Sequence, residues 1–226
     1  MELINKPCII SCGIGQGYRA GVDRLEQSLQ YHGWLGATMF WRDYPEGCPR
    51  HEGEGQYNFK LFCFREAFKA GHKIVLWCDA SLYCIKDPMP IMDYVNERGL
   101  YFFKSGYPLS ATATDRLISY ARENRIGLVD VPEFATGCVG INIDNPDGKF
   151  FFQGWSLYMD NGLFGGSRTH DAIDSADPLF RFSRQDQSAA SMALRKMGIK
   201  TAGEDKNWCS YYPTETKDTI FFIKGI

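Results

Sequence analysis

The segment KIVLWCDAS, residues 73–81, begins with the most apolar run of the chain, KIVLWC (73–78), which we predict to be a strand, and a carboxylate, Asp79, follows directly on that run. A near-continuous hydrophobic run is typical of a parallel strand that is covered on both faces of its sheet. Asp79 then falls where this strand leaves the sheet, and in open α/β sheets that carboxyl edge is where ligands bind. The position predicts a binding site at Asp79. Two alternatives stay open: a cap of the next turn, or a partner for a buried arginine.

Strand-like and helix-like segments alternate on both sides of this run. CIISC (8–12) and ATMFW (37–41) have the pattern of strands, and the segments 21–33 and 57–71 have helical periodicity. Two strand-helix-strand units in succession predict a parallel sheet. We therefore predict an α/β fold with a mostly parallel central sheet and helices on both faces, formed by a single domain of residues 1–226.

The second half of the chain continues the alternation less regularly. Its apolar and glycine-containing segments predict two strands, at 100–106 and 134–144. Helical periodicity predicts four further helices, at 87–99, 114–127, 149–162 and 184–198.

Composition narrows the class of ligand. The formal net charge is −2 and no long run of one sign occurs, which argues against nucleic acid or an anionic membrane surface as the main partner. No apolar run approaches the length of a membrane span. The eight cysteines lie partly in apolar segments, form no CxxC pair and follow no leader-like N-terminus, so we predict reduced thiols in a cytoplasmic protein.

Three segments, taken together and in order, resemble a known family. They are VLWCDASLYCIKDPMPI (75–91), FATGCVGINIDNPDGKFFFQGW (134–155) and RQDQSAASMALRKMG (184–198). They are similar to the nucleotide-sugar glycosyltransferases of GT-A fold, especially the group of glycogenin and the lipopolysaccharide galactosyltransferases. In that group a strand ends in D-x-D, an N-A-G-V segment follows, and a D-Q pair opens a late helix. The resemblance spans roughly residues 8–200 and implies sugar transfer from a nucleotide-sugar donor to a hydroxyl of a glycan, lipid or protein acceptor.

The resemblance also implies a divalent cation, Mn²⁺ or Mg²⁺, held at Asp79 against the donor diphosphate. Carboxylate oxygens are the ligands such hard cations prefer. Ser81 stands where the family has its second Asp, and a hydroxyl brings no charge, so we expect weaker or nucleotide-dependent binding. His170 is the candidate for the family's late histidine ligand. The alternatives are a turn residue for Ser81 and a surface loop for His170.

The nucleoside is expected at the loop SCGIGQGY, residues 11–18. Ser11 opens this loop, Gly13 and Gly15 allow close approach of the backbone, and Tyr18 is available to stack on a base or ribose. The spacing G-x-G-x-G differs from the dinucleotide fingerprint G-x-G-x-x-G, which excludes the NAD-binding interpretation.

Three residues outside this loop, Arg42, Asp43 and Lys60, are further candidates for the nucleotide. Arg42 and Asp43 follow the second strand, where a base edge can be read. Lys60 lies among apolar residues of the helix 57–71, where a lysine is rarely buried without a partner. The resemblance implies that a basic residue of this helix lies near the nucleotide, which makes Lys60 a candidate for the phosphates. The alternative is that Lys60 snorkels to the solvent.

The remaining candidates concern the sugar and the reaction. Thr136, Gly137 and Asn142 match the family's N-A-G-V segment, and Asp186 and Gln187 match its D-Q pair, whose side chains face the transferred sugar. For Asp186 the alternative is a carboxylate that only favours the helix dipole.

The stereochemical outcome stays open. An inverting reaction needs a carboxylate base, for which Asp171, Asp174 and Asp186 are available, whereas a retaining one relies on the donor phosphate and Gln187. Two functions from other classes also remain: a non-catalytic nucleotide- or sugar-binding protein, and a nucleotidyltransferase.

Overall fold

The computed structural model describes residues 6–50, 56–166, 174–199, 206, 208–210 and 217–225. The strands within these ranges are β1 (Cys8–Cys12), β2 (Ala37–Trp41), β3 (Ile74–Cys78), β4 (Leu82–Cys84), β5 (Leu100–Pro108), β6 (Pro132–Asn142), β7 (Cys209–Ser210) and β8 (Phe221–Ile223). The α-helices are α1 (Gln16–Tyr31), α2 (Phe59–Lys69), α3 (Met89–Arg98), α4 (Asp115–Ala121), α5 (Pro146–Asp160) and α6 (Gln185–Met197).

The central sheet has the strand order β2-β1-β3-β6-β5. β1 pairs in parallel with β2 and β3, whereas β6 runs antiparallel to both β3 and β5. β5 therefore has the direction of β3, and the prediction of a mostly parallel sheet is confirmed. The carboxyl ends of β1, β2, β3 and β5 meet at one edge of the sheet, which is also the edge where β6 begins.

Helices cover both faces of this sheet, as predicted. Ile10 and Trp77 belong to a core cluster with residues of α2, α5 and α6, while Ile9 and Leu76 face a second cluster with residues of α1 and α3. Successive residues of a strand point to opposite faces, and here both faces are buried. This explains why the 73–81 segment is apolar without alternation.

The turn after β3 is held in place by α1. A side chain at Gly21 would collide with the carbonyl of Ala80, so the helix and the turn are in close contact there. Arg24 donates from Nη2 to the carbonyl oxygen of Ser81 over 3.0 Å, and the N–H of Leu82 donates to the carbonyl of Asp79 over 2.9 Å. These contacts fix the direction in which the chain leaves the sheet at Asp79.

Several predicted boundaries differ from the structure. α1 begins at Gln16, five residues before the predicted start, because the glycine loop is shorter than its composition suggests. The predicted helix 114–127 ends early: Arg122 adopts a left-handed conformation with φ 53°, and residues 125–128 form a separate 3-10 turn. A small sheet of order β4-β8-β7 was not predicted. None of the described helices is long and apolar enough to cross a membrane.

Candidate active site

Asp79 lies at the carboxyl edge with its backbone bonded across to β6. Its N–H donates to the carbonyl of Gly137 over 2.7 Å, and Trp77 Nε1 donates to Asp79 Oδ1 over 2.6 Å. Its side chain is 35% exposed. A side chain at Gly137 would place its Cβ 3.3 Å from Asp79 Oδ2, so the glycine leaves that oxygen room. Asp79 Oδ2 has no partner among the described residues.

Lys60 is the centre of the site and is only 3% exposed. Its Nζ lies 2.9 Å from Asp186 Oδ2 and 3.3 Å from Asp79 Oδ1, and it donates to the carbonyl and hydroxyl oxygens of Thr136 over 3.1 and 3.2 Å. The Trp77 ring lies 5.6 Å from the ammonium. Burial lowers the pKa of Lys60, but the charges of Asp186 and then Asp79 outweigh it and raise the pKa above its usual value. Lys60 therefore does not snorkel: it joins two carboxylates that are distant in sequence.

Asp186 is held by one oxygen at the start of α6. Thr136 Oγ1 donates to its Oδ2 over 2.7 Å, and Trp155 Nε1 donates to its carbonyl over 3.0 Å. Gln185, just before it, has φ 33°, a conformation that L-residues with side chains rarely adopt. The side chain of Asp186 thus binds Thr136 and Lys60 through Oδ2 and does not cap the helix. Its Oδ1 has no partner among the described residues.

Gln187 is bonded at both ends of its amide. Nε2 donates to Glu133 Oε2 over 2.8 Å, and Oε1 accepts from the N–H of Thr136 over 3.3 Å. Glu133 is fully buried and also accepts from Ser105 Oγ over 2.7 Å and Ser188 Oγ over 3.0 Å. Burial raises the pKa of Glu133 although these hydrogen bonds oppose the shift. Sequence reasoning missed Glu133, because the predicted strand began at residue 134 and a single acidic residue next to it carries no recognisable pattern.

The predicted nucleoside loop crosses the ends of β1 and β2. The N–H of Gly13 donates to the carbonyl of Trp41 over 2.9 Å, and a side chain at Gly13 would collide with the backbone of Tyr18. Gly15 has φ 87°, which explains why a glycine stands there. Tyr18 is 54% exposed. Ser11 is buried, and its hydroxyl has no hydrogen-bond partner among the described residues.

Arg42 lies near this loop, but its guanidinium contacts α1. It bonds Asp23 Oδ1 over 2.8 Å and Glu26 Oε2 over 2.7 Å. Asp43 pairs with Arg19 over 3.4 Å. The guanidinium of Arg42 is thus already paired with two carboxylates of α1, and reading of a base edge by Arg42 stays a prediction.

Other predicted site residues lie elsewhere. Asn142 pairs with Ile74, at the opposite end of β3 from Asp79, so the structure does not bring it to the site. Asp174 accepts a hydrogen bond from Ser183 Oγ. His170 and Asp171 lie outside the described residues.

The donor atoms at Asp79 determine how a cation fits. The described residues contain no group of three His, Cys, Asp or Glu side chains that could hold a metal ion. Asp79 offers one oxygen, Oδ2, and Ser81 lies two residues further along the same turn. Trp77 Nε1 and the Lys60 ammonium already contact the other oxygen. Asp79 would therefore give a cation one charged ligand, and the remaining ligands would have to come from Ser81, a bound diphosphate or water.

Comparison with known proteins identifies solved structures that have a similar fold. No protein-family model matches the chain, and no curated protein is similar to it in sequence. Solved structures do match. A glycosyltransferase involved in the glycosylation of the major capsid of PBCV-1 has 13% identity and a TM-score of 0.55, with 96% of this chain and 93% of that chain covered.

Two further matches have similar scores. Mouse xyloside xylosyltransferase 1, in its apo form, has 8% identity and a TM-score of 0.53, with 96% and 97% of the two chains covered. The apo structure of the bifunctional glycosyltransferase WbbM has 12% identity and a TM-score of 0.53, with 96% of this chain and 45% of that chain covered. The chain thus has the fold of these glycosyltransferases, and the resemblance of its motifs to the GT-A group is confirmed at the level of the fold.

Proposed function

We propose that this protein is a glycosyltransferase that moves a sugar from a nucleotide-sugar donor to a hydroxyl acceptor. One observation carries the proposal: a buried ammonium, Lys60, joins Asp79 and Asp186 at the carboxyl edge of the sheet. In each of these carboxylates, the second oxygen has no partner among the described residues. A ligand-binding edge with two such oxygens, in the fold of known glycosyltransferases, supports transfer of a sugar.

On the donor side, the nucleoside would lie over the loop of Gly13 and Gly15. These two residues have no side chain, so a ligand could approach their backbone closely. Asp79 Oδ2 and Ser81 would hold a Mn²⁺ or Mg²⁺ ion together with the diphosphate. Such a cation neutralises the charge that develops on the leaving diphosphate. Lys60 compensates the charges of Asp79 and Asp186, so the two carboxylates repel the diphosphate less.

On the acceptor side, Asp186 would contact the transferred sugar or the attacking hydroxyl through Oδ1. In the reaction the bond between the anomeric carbon and the diphosphate oxygen breaks, and a bond from that carbon to the acceptor oxygen forms. The acceptor proton passes to a carboxylate if the reaction inverts, or to the departing phosphate if it retains configuration. Thr136 and Lys60 keep the carboxylate in one orientation for either course.

The test is release of nucleoside diphosphate from a panel of nucleotide sugars with Mn²⁺, measured with and without hydroxyl acceptors. We expect release by the unmodified protein and a loss of at least a hundredfold in Asp186→Asn, with the thermal midpoint of the variant as a check of folding. Donor binding without turnover would instead indicate a non-catalytic binding protein. Release of pyrophosphate would indicate a nucleotidyltransferase, and either result would overturn the proposal.

A further inference from the structure

A second feature of the same edge lies beyond the donor site: a cavity of about 270 Å³ between the end of β5 and the segment that leads into β6. The ladder between β5 and β6 is irregular between Lys104 and Pro108, and such irregularities are frequent next to active sites. The volume is below the roughly 300–1,000 Å³ of pockets for drug-sized ligands. The cavity is therefore the size of a small group, such as one sugar ring.

A chain of buried hydrogen bonds leads from the wall of the cavity, at Glu133, to Asp186 in the proposed active site. This residue forms part of its wall and binds Gln187, which accepts from the N–H of Thr136, the residue that contacts Asp186. Glu133 and Thr136 are three residues apart on β6, which is about 10 Å along an extended strand. A ligand in the cavity would thus lie about two sugar units from Asp186.

The walls suit a carbohydrate. Tyr107 is partly buried, and Phe182 packs edge-on against its ring with the centroids 5.0 Å apart. Pro108 and Pro132 add apolar surface, and Lys104 and Asp130 are exposed charged residues at the rim. An aromatic ring packs against the C–H face of a pyranose, while charged side chains bond its hydroxyls.

We propose that this cavity binds a sugar unit of a glycan acceptor, one unit away from the unit whose hydroxyl is glycosylated. The proposal rests on the proposed function and narrows it, because it selects a glycan of two or more units from the acceptor classes that the sequence leaves open. The cavity then makes the enzyme prefer an acceptor disaccharide to the corresponding monosaccharide.

The experiment compares methyl glycosides of glucose, galactose, mannose and xylose with their methyl disaccharides as acceptors. Tyr107→Ala should raise KM for the preferred disaccharide about tenfold or more. The KM for the monosaccharide and the rate of donor hydrolysis in the absence of acceptor should not change. Lys104→Ala keeps the ring of Tyr107 in the cavity, so it should raise KM for the preferred disaccharide by a smaller factor. Tyr120→Ala is the matched control, since Tyr120 is a part-exposed tyrosine of α4 with an edge-on partner of its own, Tyr158.

Saturation-transfer NMR of the same disaccharides, without donor, tests the cavity independently of activity. Loss of the disaccharide signal in Tyr107→Ala but not in Tyr120→Ala supports the inference. Equal effects of Tyr107→Ala on both acceptor lengths, no effect at all, or transfer only to lipid or peptide hydroxyls would overturn it. If the unmodified protein releases no nucleoside diphosphate, the proposed function fails, whereas activity without a disaccharide preference refutes the cavity alone.

Discussion

Replacing Lys60 by Met tests the central contact of the site through stability, without any assay of function. Met keeps an unbranched apolar stem and removes the ammonium, which lies 5.4 Å from the Tyr57 ring and 5.6 Å from the Trp77 ring. Asp186, which is 3% exposed, then loses its cationic partner at 2.9 Å. Breaking a buried ion pair from one side costs about 3–5 kcal/mol, because an uncompensated charge is left buried. We expect a loss of that size in the free energy of unfolding.

The assay is equilibrium unfolding in urea at pH 7, followed by tryptophan fluorescence, with the slope m used to check that the transition stays comparable. Lys69→Met is the matched control, because Lys69 ends the same helix with its side chain 78% exposed and 3.8 Å from Glu66. Such surface pairs contribute about 0–1 kcal/mol. The control should therefore unfold close to the midpoint of the unmodified protein.

A double variant identifies the source of the loss. Lys60→Met combined with Asp186→Asn removes the buried carboxylate as well, so it should be more stable than the sum of the single effects predicts. If Lys60→Met is as stable as Lys69→Met, or if the two substitutions at the site are simply additive, then Lys60 does not hold Asp186 in the folded protein and the site as described is wrong.

Three further predictions concern other parts of the chain. Asp79→Asn should weaken Mn²⁺-dependent binding of a nucleoside diphosphate by at least tenfold in calorimetry with little change in stability, and Ser81→Asp should strengthen it because a second carboxylate is added. Burial raises the pKa of Glu133 above the usual value of about 4.3, so the folded state binds this proton more readily than the unfolded state. Stability then rises as the pH falls from neutral through that pKa, and Glu133→Gln should lose this part of the pH dependence of unfolding. Cys48 is the half-buried member of eight unpaired cysteines, so a thiol reagent should modify it first under native conditions and all eight after denaturation.

The sequence predicted those strands whose hydrophobic pattern is visible within a few consecutive residues. The predicted strands 8–12 and 37–41 match β1 and β2 residue for residue, and β3 differs from its prediction by one residue. These strands are short apolar runs bounded by glycine or polar residues, so their length and their ends are visible locally. The order of the motifs then placed Asp79 and Asp186 at one edge, where the structure joins them through Lys60.

What the sequence did not predict depends on contacts between distant residues. β7 and β8 have two and three residues, too few to show a period of two, and they exist because β4 lies beside β8. Asn142 matches the family's segment, but β6 is long and antiparallel to β3, so its last residue reaches the opposite end of the sheet. The spacing of motif residues tells how far apart they lie along a strand, but it does not tell in which direction that strand runs in the sheet.

The D-Q pair shows how two adjacent residues of one motif divide their roles. Asp186 contacts Lys60 and Thr136 through one carboxylate oxygen, Oδ2. Its other oxygen, Oδ1, has no partner among the described residues. A glutamine side chain has two N–H donors and one oxygen that accepts at two positions, and Gln187 already uses one N–H on Glu133 and its oxygen on the backbone of Thr136. A retaining mechanism that stabilised the transition state through Gln187 would depend on its second N–H, held in direction by the buried Glu133. The orientation of Gln187 is therefore set by Glu133 and the backbone of Thr136. Asp186 differs from it in keeping a whole carboxylate oxygen without a partner among the described residues, whereas Gln187 keeps one N–H.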